Sequence, residues 1–290
     1  MKKGIVIRAF SGNPDFLGSG GFLSRLDDFK RCFDQARAAG YDGVQLFLDP
    51  TGYFSLESDD AVVAQVAAVA RAAGVGLTSL ELAPFSYSFT ASDPAVRRRA
   101  EEIVGRGLQI AAAMGVAGVL VIPGFVGLPW DAGAPVVRYD LAYERTLAGL
   151  RACAPTAERL GVSMLLENVW NRFLLSPLEM RRLLDEVGSH SVAALLDTGN
   201  VVLFGYPEHW IHILGSRIRE VHLKDFRQAV GTIDGFVDLL AGDVDWPAVM
   251  SALRAIGYDG YLTAEVFPYV HAPEQIISTT AERIDRLLAM

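Results

Sequence analysis

Short apolar runs alternate with longer helical segments along the whole chain, and this alternation restricts the fold more than any other feature. The runs are rich in Val, Leu and Ile and do not alternate cleanly with polar residues, which is typical of parallel strands covered on both faces. The predicted strands are residues 5–9, 43–48, 76–82, 118–122, 162–168, 192–197, 218–224 and 261–266. The predicted helices are residues 25–39, 59–73, 94–113, 141–160, 177–187, 207–214, 246–256 and 274–289.

Eight strand–helix units joined without a linker favour a closed (β/α)8 TIM barrel that occupies residues 1–290 as one domain. The alternative is an open, doubly wound sheet, which usually carries a glycine-rich phosphate loop after its first strand. The segment after the first predicted strand, SGNPDFLGSGGF, contains glycines but lacks the GxGxxG spacing. The barrel is therefore the predicted fold.

Composition narrows the classes of protein further. The chain has 26 Lys and Arg against 34 Asp and Glu, a net charge of −8, which argues against nucleic acid as a partner. The uncharged residues 107–130 are interrupted by Gly and Pro, so we predict no membrane helix there. Arg8 ends the first apolar run too early for a secretory signal. Only Cys32 and Cys153 are present, both in helical segments, which fits buried thiols and a cytoplasmic protein.

Four predicted strands end in residues that can bind metal or move protons. The residues are Glu167, Asp197, His222 and Glu265, spaced by 30, 25 and 43 positions, about one strand–helix unit each. In a barrel they would converge at the carboxyl ends of the strands. Taken singly, Asp197 could cap a turn and His222 could be a core histidine. Together, three carboxylates and one imidazole predict a site for one divalent ion, Mn²⁺, Mg²⁺, Co²⁺ or Zn²⁺.

The segments that carry these residues resemble the sugar phosphate isomerase/epimerase family, a group of xylose-isomerase-like TIM barrels. The matching segments are ENVWNRFLLSP, LLDTGN, VHLKDF and GDVDWPAVMSALRAIGYDGYLTAEVF. The resemblance implies that Glu167 and Glu265 are metal ligands and the acid/base pair, and that Asp197 and His222 are metal ligands. It also implies a carbohydrate substrate, and a homodimer or homotetramer by analogy with related barrels.

The implied reaction passes through an enediolate that the metal stabilises. Two glutamates on opposite faces of the substrate suit 3-epimerisation, whereas proton transfer on one face gives aldose–ketose isomerisation. Asn200 stands where free-ketose 3-epimerases have a histidine, and Phe173 stands where they have a glutamate. The chain is therefore less similar to the free-ketose 3-epimerases. DTGN followed by HLKD is more similar to the L-ribulose-5-phosphate (L-xylulose-5-phosphate) 3-epimerase branch, with Asn200 expected to orient the substrate or a metal-bound oxygen.

Further residues near the predicted rim are candidates for substrate binding. Lys224 and Arg227, close in sequence to the Gly242–Asp243 loop, could bind a phosphate, although Lys224 could instead pair with Asp225 or Glu220. Aromatic side chains after two strands could form a wall for the sugar, and rim acids could contact the substrate or pair structurally. The aromatic candidates are Trp170, Phe125 and Trp130, and the acids are Glu81 and Asp49.

Three other functions remain open at the level of sequence. A dehydratase of the inosose or 3-dehydroshikimate type would use the same metal site and expel water. A nuclease that resembles endonuclease IV needs a three-metal cluster rich in histidine, whereas this chain has five His and only His222 at a predicted strand end. A sugar-binding barrel without catalysis would bind sugar but no metal.

Overall fold

The computed structural model of the chain describes residues 1–12 and 21–290, and these form a closed barrel of eight parallel strands. Each strand pairs with the next along the chain, and the last pairs with the first through the register Lys2↔Tyr261. The predicted barrel is confirmed, while most of the predicted loop at 11–22 lies outside the described residues. The strands are β1 Lys2–Val6, β2 Gly43–Leu48, β3 Gly76–Leu82, β4 Gly118–Val121, β5 Ser163–Glu167, β6 Val192–Asp197, β7 Ile218–Leu223 and β8 Tyr261–Ala264.

Helices surround the barrel, and their ends follow local sequence signals. Asp59, Asp93 and Ser176 each accept a backbone hydrogen bond as N-caps, and Gly74 and Gly161 end helices in the left-handed conformation. A short helix directly after β6 was not predicted. The helices are α1 Leu26–Ala38, α2 Asp60–Ala73, α3 Pro94–Met114, α4 Tyr139–Leu160, α5 Pro177–Val187, α6 Thr198–Val202, α7 Pro207–Leu214, α8 Trp246–Ala255 and α9 Gln275–Leu288. Among the described residues, none of these helices is long and apolar enough to cross a membrane.

The barrel interior has its own small apolar cluster beneath the carboxyl ends of the strands. Side chains alternate along a strand, so the residue two positions before an inward-facing strand-end carboxylate also faces inward. Leu165 precedes Glu167 in this way, and Leu195 precedes Asp197. The cluster comprises Leu120, Ile122, Leu165, Ala193 and Leu195. It fills the barrel below the polar side chains and so excludes water from beneath them.

The first strand ends earlier than predicted. The sequence predicted a strand at residues 5–9, but β1 ends at Val6 and a 3₁₀ turn follows at Ile7–Phe10. The remaining strands differ from their predicted ends by at most two residues. The early end of β1 places Arg8 beyond the strand, at the rim where the other strand ends meet. Glu265 likewise lies immediately after β8.

A short antiparallel ribbon follows β7 and is anchored by one buried carboxylate. Its two strands are Asp225–Phe226 and Phe236–Val237. Asp225 is fully buried, and its side chain accepts hydrogen bonds from three backbone N–H groups and from the indole of Trp246. A Cβ on Gly242 would collide with Asp225 Oδ1, so the loop before α8 approaches this carboxylate too closely for any residue but glycine.

Both thiols should be inert in the folded protein. Cys32 and Cys153 are buried, and burial raises the pKa of each thiol to about 12. Because the thiolate is the reactive form, we expect neither to react with Ellman's reagent in native buffer and both to react in guanidinium chloride. Release of one or two equivalents of thionitrobenzoate from the native protein within minutes would contradict this prediction.

Candidate metal centre and active site

Three carboxylates and one imidazole converge at the carboxyl ends of four neighbouring barrel strands. Glu167 and Asp197 are the last residues of β5 and β6, His222 is the penultimate residue of β7, and Glu265 follows β8. The parallel register places Asp197 directly opposite His222. All four side chains are buried, and each offers a ligand atom within 4.8 Å of those of the other three. The group has the composition and proximity of a metal site.

Two oxygens in this group support the fit to a cation. Glu167 Oε1 and Asp197 Oδ2 are buried and accept no hydrogen bond of suitable geometry from any described residue. Lys224 Nζ and His222 Nδ1 lie within ion-pair distance of these oxygens, and a divalent cation would satisfy several buried carboxylate oxygens of this group at once. The set of three oxygen ligands and one nitrogen ligand suits a hard or borderline divalent ion.

His222 is oriented by residues behind it. The carboxamide nitrogen of Gln45 lies 2.9 Å from His222 Nε2 and donates to Ser79 Oγ at 2.8 Å. The other ring nitrogen, Nδ1, therefore faces the carboxylates, at 3.1 Å from Glu265 Oε2 and 3.4 Å from Glu167 Oε1. Burial alone would lower the pKa of His222, but its contacts with these two glutamates raise the pKa well above the ordinary value. Gln45 thus fixes the orientation of the ring, with Nδ1 turned towards the carboxylates.

Two buried cations flank Glu265. Lys224 Nζ lies 2.8 Å from Glu265 Oε2 and 3.1 Å from Asp197 Oδ2. Arg8 Nη2 lies 3.3 Å from Glu265 Oε1 on the other side. Burial alone would raise the pKa of Glu265, but Lys224, His222 and Arg8 hold it well below its usual range. Lys224 thus pairs with two strand-end carboxylates, not with the Asp225 or Glu220 considered from the sequence.

Arg8 was not predicted as a site residue. Its Nη2 donates to both oxygens of Glu81 at 2.9 Å, and its guanidinium lies 4.9 Å from the ring centre of Phe47. Burial raises the pKa of Glu81 to about 7, although Arg8 opposes this effect. Glu81 therefore lies at the site as a partner of Arg8, and Asp49 adds a further negative charge near the same guanidinium. The sequence signal that could have identified Arg8 is the presence of an arginine inside an otherwise apolar run.

Asp197 divides its two oxygens between the helix α6 and the site. Its Oδ1 accepts from Asn200 N at 2.7 Å and caps the helix, while Oδ2 faces the site. The Asn168 side chain brackets the same residue, accepting from Asp197 N and donating to Asp197 O, both at 2.9 Å. Burial raises the pKa of Asp197 to about 7 despite the charge of Lys224. Asn168, unlike Asp197, was missed by sequence reasoning.

Helix α6 approaches the backbone of Lys224 so closely that Gly199 could not be replaced by a residue with a side chain. A Cβ on Gly199 would lie 2.9 Å from the carbonyl carbon, oxygen and Cβ of Lys224. Thr198 Oγ1 donates to Lys224 O at 2.8 Å and accepts from Lys224 N at 3.1 Å. The TGN segment after Asp197 therefore fixes Lys224 in place, which explains the glycine in LLDTGN.

A cavity opens above these residues. Asn200 lies at its wall, donates from Nδ2 to Asn168 O at 2.9 Å, and accepts from Trp170 Nε1 at 3.0 Å through its backbone oxygen. Arg227 does not line the cavity: it is exposed, and its Nε donates to Ala241 O at 3.1 Å. The lining residues include Arg8, Glu81, Phe85, Trp130, Glu167, Trp170, Asn200, Lys224, Ile233, Phe236 and Glu265.

Comparisons with known proteins agree with this geometry. The chain is 32% identical to a 2-epi-5-epi-valiolone 7-phosphate 2-epimerase of Actinoplanes sp. over 66% of its own length and 65% of that enzyme. It is 29% identical to an inosose dehydratase of Geobacillus thermodenitrificans over 42% of its own length and 46% of that enzyme. The alignments therefore span less than two thirds of either relative.

Similarity of structure extends over the whole barrel. The crystal structure of a D-allulose 3-epimerase from Methylomonas sp. superposes with a TM-score of 0.77 at 20% identity and covers 99% of this chain and 98% of that one. A family model described as xylose isomerase-like TIM barrel matches residues 33–287. The chain belongs to the xylose isomerase-like TIM barrel family.

Proposed function

We propose that the chain is a divalent-metal-dependent sugar or sugar-phosphate isomerase/epimerase that interconverts ketose epimers at C3, or an aldose and a ketose. One observation carries this proposal: two buried glutamates, Glu167 and Glu265, meet Asp197 and His222 at the floor of one cavity. Relatives named as an epimerase and ketose 3-epimerases of the same fold support it.

The two glutamates move the proton. One carboxylate removes the proton from the carbon next to the substrate carbonyl, and the other returns a proton to the opposite face. A divalent ion held by the four ligands would polarise the carbonyl and so acidify that carbon. Mn²⁺, Mg²⁺, Co²⁺ and Zn²⁺ are the proposed candidates for this ion.

The residues around Glu265 give it a fixed orientation. Lys224 and His222 hold Oε2, and Arg8 contacts Oε1, so both oxygens have charged neighbours. Glu167 has only the longer contact to His222 among the ion pairs of the described residues. The two glutamates therefore enter the reaction with different surroundings, as a base that accepts one proton and an acid that donates another require.

Deuterium incorporation tests the proposed reaction directly. The Mn²⁺-loaded protein is incubated in D₂O with a panel of ketoses and ketose phosphates, and products are analysed by NMR. For a 3-epimerase, we expect deuterium at C3 of at least one sugar together with both of its epimers. For an aldose–ketose isomerase, we expect deuterium at C2 of the aldose or at C1 of the ketose. Recovery of every sugar without deuterium, from protein with the metal bound, would overturn the proposal.

A metal-dependent dehydratase is the second candidate, because several relatives are named as inosose dehydratases. The same proton abstraction would then be followed by loss of a hydroxyl group as water. Adding inosose to the panel separates the two reactions: loss of water with no epimer formed in any ketose favours the dehydratase.

We also propose that residues 1–290 form one domain, that the protein is cytoplasmic, and that it assembles as a homodimer or homotetramer. Two buried free thiols support a reducing compartment. Light scattering coupled to size exclusion measures the assembly, and a monomeric mass would contradict that part of the proposal.

A further inference from the structure

A second cavity adjoins the metal site and shares part of its wall. Trp130, Trp170 and Ile233 line both the inner cavity, above the metal ligands, and this outer groove. The remaining lining residues of the outer groove are Pro129, Arg172, Leu175, Leu203, Phe204, Gly231 and Thr232. A molecule whose reacting carbons lie in the inner cavity can therefore extend into the outer groove without leaving the protein surface.

The charges of the inner cavity are unfavourable for an anion. Its two cations already face carboxylates: Arg8 contacts Glu81 and Glu265, and Lys224 contacts Asp197 and Glu265. A phosphate there would have to displace these ion pairs and approach the carboxylates. These ion pairs favour an uncharged polyol over a phosphate at this end of the site.

The outer groove has the opposite character. Arg172 is the only charged residue among its described lining residues, and its guanidinium makes no ion pair or hydrogen bond with any described residue. Phe204 and Leu175 are exposed by 60% and 46% at the same groove. An exposed cation on an apolar, aromatic-walled surface is suited to an anionic group carried by a molecule with C–H faces.

The backbone places Arg172 at this position at a conformational cost. Its φ is +56°, a left-handed conformation that is uncommon for residues other than glycine. The neighbours on either side are buried anchors: Asn171 Nδ2 donates to Gly124 O at 2.7 Å, and Phe173 packs against Tyr139. Strained residues held by rigid neighbours concentrate at functional sites. Phe173 is one of these buried anchors, which explains why an apolar residue stands at this position.

From these observations we infer that Arg172 binds a phosphomonoester at the distal end of the substrate, while the uncharged end reacts above Glu167 and Glu265. This inference rests on the proposed function and assigns its substrate class, a ketose phosphate. It also replaces the phosphate role expected of Lys224 and Arg227, since Lys224 is already paired and Arg227 lies outside both cavities.

Calorimetry with matched sugars tests this assignment. The Mn²⁺-loaded protein is titrated with ketopentose 5-phosphates and ketohexose 6-phosphates, each beside its free sugar. We expect at least one ester to bind about 10- to 100-fold more tightly than its free sugar, as charge-assisted hydrogen bonds predict. Arg172→Gln should remove this preference, and Arg172→Lys should retain part of it. Arg227→Gln, at another exposed arginine, should leave the preference unchanged.

The assignment is overturned if no ester binds more tightly than its free sugar, if the preference persists in Arg172→Gln, or if Arg227→Gln abolishes it. These outcomes are separable from the proposed reaction. Deuterium exchange into free ketoses with no preference for esters would retain the epimerase and refute Arg172. Ester binding that depends on Arg172, without any exchange, would retain the anion site and refute the epimerase.

Discussion

Glu167→Gln and Glu265→Gln should each lower turnover by a factor of about 10² to 10⁴, because each substitution removes one of the two groups that transfer the proton. Glutamine keeps the shape of the side chain but neither accepts a proton at neutral pH nor contributes a negative charge. The rate of epimer formation, measured by NMR at saturating Mn²⁺, gives the size of the loss. Rates of deuterium exchange in each epimer are measured in the same samples.

The exchange data distinguish a lost base from a lost metal site. If one glutamate serves each face, a single variant should still exchange deuterium into the epimer whose own base is intact, while epimer formation falls. Glu220→Gln is the matched control, because Glu220 is also buried in the barrel but accepts from Thr263 away from the inner cavity. Full activity in either site variant, or an equal loss in Glu220→Gln, would refute the assignment of the two glutamates.

Asp225→Ala should destabilise the protein by about 4 kcal/mol, the largest stability effect that we expect outside the apolar core. Asp225 Oδ1 accepts from Phe226 N and Val244 N, at 2.9 Å and 3.3 Å. Its Oδ2 accepts from Gly242 N and Trp246 Nε1, both at 3.0 Å. Alanine would leave these buried or partly buried donors without an acceptor, and each loss at a buried donor costs about 1–3 kcal/mol.

Thermal and urea unfolding measure this effect. The free energy of unfolding of Asp225→Asn should fall between those of wild type and Asp225→Ala. The asparagine amide keeps one acceptor oxygen but turns an N–H₂ group towards the other pair of donors. Asp243→Asn is the control, because Asp243 lies in the same loop and its side chain accepts, among the described residues, a single exposed hydrogen bond from Gln228 N at 2.8 Å. Equal stability of Asp225→Ala and wild type would show that this carboxylate does not stabilise the loop.

The four strand-end residues of the candidate metal centre could be located from the sequence because two regularities act together. Apolar runs mark the strands, and a polar residue that ends such a run faces the same rim as its counterparts. Glu167, Asp197, His222 and Glu265 satisfied this rule, and an error of one or two residues in the strand ends did not move them from the rim. The fold followed from the same periodicity.

Residues whose position depends on tertiary packing could not be located in this way. Arg8 was assigned to the interior of a strand, because no sequence signal shows that β1 ends at Val6 and gives way to a 3₁₀ turn. The partners of Lys224 are distant in sequence, at Asp197 and Glu265, so charge spacing alone suggested nearer acids. Arg227 comes directly after the first strand of the short ribbon, and its side chain contacts Ala241 O outside the cavity. The contacts of Asp225 hold that ribbon in place.

Asp197 joins two roles in one short side chain, and this restricts which sequences the position can accept. One oxygen caps the first turn of helix α6, and the other faces the remaining residues of the candidate metal centre. A glutamate would add a methylene and could not keep both contacts, and an asparagine would offer only one acceptor. Two separate contacts therefore restrict the residue at this position. A substitution that kept an oxygen facing the site would still disturb the start of the helix.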